Sequence, residues 1–435
     1  VNKQGTHIPT DGPAPADGRA GAAGSGGITA EFIRRIPKTD LHVHLDGSLR
    51  IPTLIELARA GKVDLPSWDE AGLKELVFKD RYESLPDYLR GFAYTCAVLR
   101  TPENLERVAY EFAEDNLAEG VRHFEVRFAP QLHTHDDLKA RDVLAAVHRG
   151  LDRAARAHNV GEAVRSGRDL PLQYGIIVCA MRSFNRSYGP YFARLLDVLG
   201  SAPRREVFAV ASLEMVRTAV ALRDQDGLPI VAFDLAGEEA GYPAGDHKVA
   251  FQYAHSHFLK KTVHAGEAYG PESIFQAITD CHANRIGHGT FLFAVDMVRG
   301  AGIADPARYV ERLAEYIASE RIAVEVCLTS NLQTTPSIRS AADHPVRRMI
   351  ERGLSVTICT DNRLVSGTTV TRELQRIVDG FPITRRQFRN LVLAGFKGAF
   401  LPIPYVEKRA FVRSVIDRYE LLERELLGPE PETGS

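Results

Sequence analysis

Eight short apolar runs, most of them followed by a stretch of helical periodicity, set the strongest constraint on how this 435-residue chain can fold. They begin at Thr39 and recur at 123–130, 172–180, 230–236, 261–265, 285–288, 323–329 and 355–360. The helical stretches between them are clearest at 138–158, 191–199, 212–223, 247–258, 271–279, 306–320 and 344–352, with Gly, Asn or Pro at many of the joins. Strands that alternate with helices pair in parallel through crossover connections. Eight such units in about 330 residues point to a closed (β/α)8 barrel of the TIM type rather than an open sheet.

Outside the alternating units, helices are expected at 30–35, 51–60, 71–78, 85–99 and 102–119, the ones just after the first strand being placed to form a lid. Two amphipathic helices at 384–400 and 405–427 can pack on the barrel wall, and 160–168 reads as a surface loop. Residues 1–28, rich in Gly, Ala, Pro and Asp, are expected to be a disordered leader, and 428–435 a disordered tail. Residues 29–427 then form one domain.

The site of such a barrel lies at the carboxyl ends of its strands, and the titratable residues concentrate there. In Thr39-Asp40-Leu41-His42-Val43-His44-Leu45-Asp46 the apolar and polar residues alternate, so His42 and His44 share one face of a strand. His264 ends the fifth run with Glu267 just beyond it, His288 ends the sixth, Asp361 follows the eighth, and Asp234 lies near the end of the fourth. His42, His44, His264 and Asp361 suit one Zn2+ with an open coordination position, because three imidazoles and one carboxylate match a borderline cation better than Mg2+ or Ca2+. Glu267 and His288 are left as acid and base beside it, which makes metal-assisted hydrolysis the reaction class. In Phe124-Glu125-Val126-Arg127-Phe128 the acid and the arginine are expected to pair with each other inside the barrel, and Thr329-Ser330-Asn331 to cap or turn the chain.

A formal net charge of −2 gives no electrostatic reason to expect nucleic acid or an anionic membrane as partner. No run is long enough to span a bilayer, and a cytoplasmic location is the expectation. The five cysteines form no C-x-x-C pair and read as reduced, mostly buried thiols.

Five blocks resemble the adenosine deaminase family in the family's order. They are 38–50, Phe233-Asp234-Leu235-Ala236-Gly237-Glu238, Thr262-Val263-His264-Ala265-Gly266-Glu267, Arg285-Ile286-Gly287-His288-Gly289-Thr290 and Thr360-Asp361. The resemblance spans about residues 30–400. It implies one zinc per chain on His42, His44, His264 and Asp361, with Glu267 donating a proton to purine N1 and His288 orienting the water that attacks C6. It also implies substrate contacts at His44, Asp46 (the ribose), Gly237 (purine N3) and the position of Asn362. The implied reaction converts adenosine, and 2′-deoxyadenosine, to inosine and ammonia. Free adenine and 5′-modified adenosines are the rival substrates, and a different metal hydrolase or an inactive binding barrel the more distant readings. One departure stands out: the family commonly carries two consecutive aspartates where this chain has Asp361-Asn362. An asparagine amide donates to N7 without first needing a proton, so purine binding is expected to survive.

Overall fold

The computed structural model describes residues 27–83 and 85–429. The expected disordered leader and tail fall chiefly on 1–26 and 430–435, outside the described residues. Ile28, at the leader's end, is buried.

Eight strands form one sheet in sequence order, all parallel. They are β1 (Lys38–His44), β2 (Val121–Phe128), β3 (Gln173–Met181), β4 (Ile230–Ala236), β5 (Lys260–Ala265), β6 (Arg285–His288), β7 (Ala323–Val326) and β8 (Val356–Ile358). The sheet closes where Val43 bridges Asp361. There Asp361 N–H donates to the His42 carbonyl at 2.8 Å and His44 N–H to the Asp361 carbonyl at 2.7 Å. The seam of the (β/α)8 barrel therefore runs through three residues expected to hold the metal.

Helices cover the outside because each has one apolar face to bury. Ala140–Asn159 buries Val143, Leu144, Val147 and Leu151, and Pro306–Ser319 buries Val310, Leu313 and Ile317. Three helices match their expected bounds, Ala30–Arg35, Pro271–Thr279 and Tyr405–Leu427.

Several expectations are corrected. The seventh strand stops at Val326, and Leu328–Thr334 is a helix instead, with Thr329, Ser330 and Asn331 buried at the rim. Helical pairing satisfies the backbone where buried polar side chains must face inward. The expected 85–99 helix is two pieces, Leu85–Leu89 and Gly91–Val98. Helix Arg204–Asp226 starts earlier than its apolar pattern suggests, and 160–168 contains a short helix, Glu162–Arg165. Helix Val370–Gly380 was not anticipated; the Thr369 side chain caps it by accepting from the Arg372 N–H.

Glu125 and Arg127 do lie inside the barrel but do not pair with each other. Glu125 binds Arg285 and the His123 ring, while Arg127 donates to Asp234 at 3.0 Å and to Glu325 at 2.8 Å. Residues two apart on a strand share a face, yet across a closed barrel the nearest opposite charge comes from another strand. All of these side chains are buried, so full mutual pairing is what makes the charge layer tolerable.

Candidate active site

The charge layer lies behind two histidines of the expected metal set. His42 Nδ1 lies 2.9 Å from Glu325 Oε2, and His264 Nδ1 lies 3.1 Å from Asp234 Oδ2. Since Arg127 grips both carboxylates, one guanidinium orients two imidazoles from opposite sides of the barrel. With Nδ1 engaged, each ring turns Nε2 toward the barrel mouth.

Those nitrogens converge. His44 Nε2 is 3.2 Å from His264 Nε2, and Asp361 Oδ1 is 3.6 Å from His42 Nε2 and 3.5 Å from His44 Nε2. Ligands about 2.0–2.2 Å from a tetrahedral ion sit about 3.3–3.6 Å apart, so the separations fit one. His42 Nε2 is buried and makes no hydrogen bond, which fits a metal ligand. Burial pushes the His42 and His44 imidazoles well below their ordinary pKa, leaving them neutral. Burial works the same way on His264, but the Asp234 carboxylate outweighs it and raises the value. His288 brings a ring nitrogen into the same cluster, within 4.8 Å of ligand atoms of His42, His264 and Asp361.

Two local features make this convergence possible. A Cβ on Gly287 would lie 2.9 Å from the His42 ring, so only glycine leaves that ring room. Asp361 and His288 hold left-handed backbone, φ 61° and 65°, a strained geometry for non-glycine residues that surrounding hydrogen bonds must maintain. Ser330 Oγ helps at Asp361 by donating to Oδ2 at 2.6 Å.

Glu267 stands over the cluster with its carboxylate 3.8 Å from His288 Nε2. Burial raises its pKa to about 7, so much of it keeps a proton at neutral pH. His288 is neutral there, burial having lowered it to about 4. Glu239, a residue the sequence did not single out for this role, fixes the loop that carries Glu267. Its carboxylate accepts the backbone N–H groups of Gly266 (2.8 Å), Glu267 (2.9 Å), Ala268 (2.7 Å) and Tyr269 (3.0 Å), and the Ser273 hydroxyl. Glu325 was missed as well, although one acid flanked by Val324 and Val326 in an apolar strand is a legible signal.

The cavity above encloses about 440 Å3 and is lined by His44, Asp46, Gly237, His264, Glu267, His288, Asp361 and Asn362. Phe92, Leu89, Leu132 and Met181 add an apolar wall. Asp46 is buried; its Oδ1 has no hydrogen-bond partner, and its Oδ2 lies 3.6 Å from His133 Nε2. Asn362 is buried beside it, donating through Nδ2 to the Tyr88 hydroxyl at 2.7 Å, and that hydroxyl pairs with Ser366 Oγ at 2.8 Å. Its Oδ1 sits where a Cβ on Gly47 would be, 1.9 Å away, so the glycine makes room for the amide. Among the described residues no Lys or Arg lines the cavity.

A barrel with a His/Asp cluster at the carboxyl ends of its strands, an acid over it and a pocket above defines a metal-dependent hydrolase of the amidohydrolase type. Comparison with known proteins narrows the class. The family model described as adenosine deaminase matches residues 37–418. A relative from Mycolicibacterium vanbaalenii named adenosine deaminase is 37% identical over 398 residues, covering 91% of this chain and 98% of its own. The chain belongs to the adenosine deaminase family. Among solved structures, an amidohydrolase from Burkholderia ambifaria with bound Zn superimposes with a TM-score of 0.70 at 20% identity, over 94% of this chain and 98% of that one. The Arabidopsis N6-mAMP deaminase superimposes with a TM-score of 0.68 at 24% identity, over 89% and 99%. Among the described residues no helix is long and apolar enough to cross a membrane.

Proposed function

We propose that this enzyme is a zinc-dependent deaminase of adenosine and 2′-deoxyadenosine, releasing inosine or its deoxy form and ammonia. The observation that carries the reading is a buried carboxyl, Glu267, with a pKa near 7, facing His288 above the His/Asp cluster. His42, His44, His264 and Asp361 would hold the zinc. When bound, it supplies Lewis acidity that lowers the pKa of water to about 7. The relative's name and the zinc in the Burkholderia structure support both parts of the reading.

The protein groups divide the remaining work. Glu267 gives its proton to N1, drawing electron density from C6 as the C6–O bond forms. His288 holds the attacking oxygen on one side of the ring. The C6–N bond then breaks, and the hydroxyl proton leaves with the amino group as ammonia. The other proton of the water, released as the C6–O bond forms, returns to the Glu267 carboxylate, so over one turnover water supplies the oxygen on C6, the third hydrogen of ammonia and, by way of Glu267, the N1–H of the product.

Asp46 favours a nucleoside over free adenine, because its buried, unpartnered Oδ1 needs a donor such as a ribose hydroxyl. The cavity disfavours a nucleotide. With Asp46 and Glu238 in the wall and no Lys or Arg among the described lining residues, a 5′-phosphate would lie unpaired beside like charge. Asn362 donates to N7 and Gly237 meets N3. The reading is tested by kcat/KM on adenosine, 2′-deoxyadenosine, adenine and AMP. Adenosine is expected to exceed adenine and AMP by at least about 100-fold, the worth of one unpaired buried polar group or more. A preference for adenine or AMP overturns it.

A further inference from the structure

His288 is the pivot of the proposed reaction, and what it can do depends on which ring nitrogen carries the proton. A chain of buried hydrogen bonds behind it answers that question. At its far end the Val346 backbone N–H donates to His344 Nδ1 at 3.0 Å. A backbone amide has one role only, so His344 Nδ1 must be the acceptor and the ring proton must lie on Nε2. His344 Nε2 is 3.2 Å from Asn331 Oδ1 and donates to it. The amide is thereby oriented with its nitrogen toward the site, and Asn331 Nδ2 lies 3.1 Å from His288 Nδ1. An amide nitrogen is a donor, so His288 Nδ1 accepts and the His288 proton sits on Nε2. A proton on Nδ1 would face the amide N–H head on. His344, Asn331 and His288 are all buried, and each link between them is direct, so the direction is set without an intervening water.

We infer that Asn331 and His344 are positioning residues that lock His288 as its Nε2–H tautomer, so that it acts on the attacking oxygen as a hydrogen-bond donor and not as a general base. This rests on the proposed reaction only for its catalytic consequence; the tautomer itself is a property of the resting enzyme. Both ring nitrogens of His288 are committed, Nδ1 as acceptor and Nε2 as donor toward the site. The ring therefore holds an oxygen electrostatically, and the chain that sets it is anchored in the backbone at the start of helix Val346–Glu351.

The test is nitrogen NMR of the holoenzyme labelled with 15N-histidine, with His288 assigned by its absence in His288→Gln. Wild-type His288 is expected to show the Nε2–H pattern without substrate. In Asn331→Asp the carboxylate accepts from both histidines, so His288 is expected to switch to Nδ1–H, with kcat on adenosine falling at least about 10-fold and KM changing less. His344→Gln is the rescue variant, because its amide accepts from Val346 N–H and donates to Asn331. It is expected to retain the wild-type tautomer and most of kcat, whereas His344→Ala loses both. Wild-type His288 in the Nδ1–H form overturns the inference. So does Asn331→Asp, folded by its thermal melt, with tautomer and kcat unchanged. Should Asn331→Asp fail to fold, the His344→Gln and His344→Ala pair decides, and equal tautomer patterns in the two overturn it. A correct tautomer in an enzyme that releases no ammonia from adenosine leaves the lock standing and sinks the proposed reaction instead.

Discussion

Glu239→Gln separates the loop that carries the acid from the acid itself. In the wild type Oε2 takes three backbone N–H groups and Oε1 takes one, together with the Ser273 hydroxyl. A glutamine can place its NH2 at either position. At the Oε2 position it would confront three donors. At the Oε1 position it confronts only Gly266 N–H, because the Ser273 hydroxyl can turn and accept, so the second orientation wins. One charge-assisted bond worth about 1.5–3 kcal/mol is then lost, and three others weaken by about 1 kcal/mol each as the acceptor becomes neutral. Cheaper burial of an amide offsets part of this, leaving the loop destabilised by about 2–5 kcal/mol. A displacement of Glu267 by about 1 Å costs on the order of 100-fold in rate. The Glu239 charge also helps to raise the Glu267 pKa, so its removal moves that pKa down and the basic limb of the pH profile to lower pH. The assay is the ultraviolet change on deamination of adenosine, followed across pH, with metal content measured on the same sample. We expect kcat/KM to fall about 100-fold with metal retained. A rate within about threefold of wild type, with an unshifted profile, refutes the role given to Glu239.

Other perturbations bear on separate parts of the site. Glu267 works protonated, and burial has raised its pKa to about 7, so kcat/KM should decline as pH rises through about 7 in a pH–rate profile, a limb that Glu267→Gln removes together with the activity. Arg127→Ala leaves Asp234 without its guanidinium and takes one of two from Glu325, which keeps Arg285. Denaturant unfolding should show a loss of about 3–5 kcal/mol. Metal affinity should drop about 10–100-fold, because His42 and His264 lose their oriented partners. Asn362→Ala removes the N7 donor, worth about 1–3 kcal/mol, so kcat/KM on adenosine should fall about 5–100-fold while 7-deazaadenosine, which lacks the acceptor, changes little; an unchanged adenosine value would reduce Asn362 to a turn residue. Tyr88→Phe frees that amide to turn and should reproduce part of the same loss, as steady-state kinetics on the two substrates would show.

The sequence by itself determined the barrel and the position of every residue expected at the metal. Strand and helix periods are local properties, and barrel geometry sends the carboxyl ends of all strands to one face, so His42, His44, His264, His288 and Asp361 could be placed together from their positions alone. Even the bounds of β4 and β6 follow from their apolar runs. What only the tertiary structure decided is who holds whom. Glu125 and Arg127 are neighbours on one strand, yet their partners lie 160 and 198 residues away, at Arg285 and Glu325. Glu239 meets the Glu267 loop across 28 residues, and Asn331, which reads as a cap or turn residue, links His288 to His344, which reads as the start of a helix. The physical reason is that the placement of these side chains follows from backbone periodicity, whereas the orientation, tautomer and proton affinity of each follow from hydrogen bonds that close only when the barrel does.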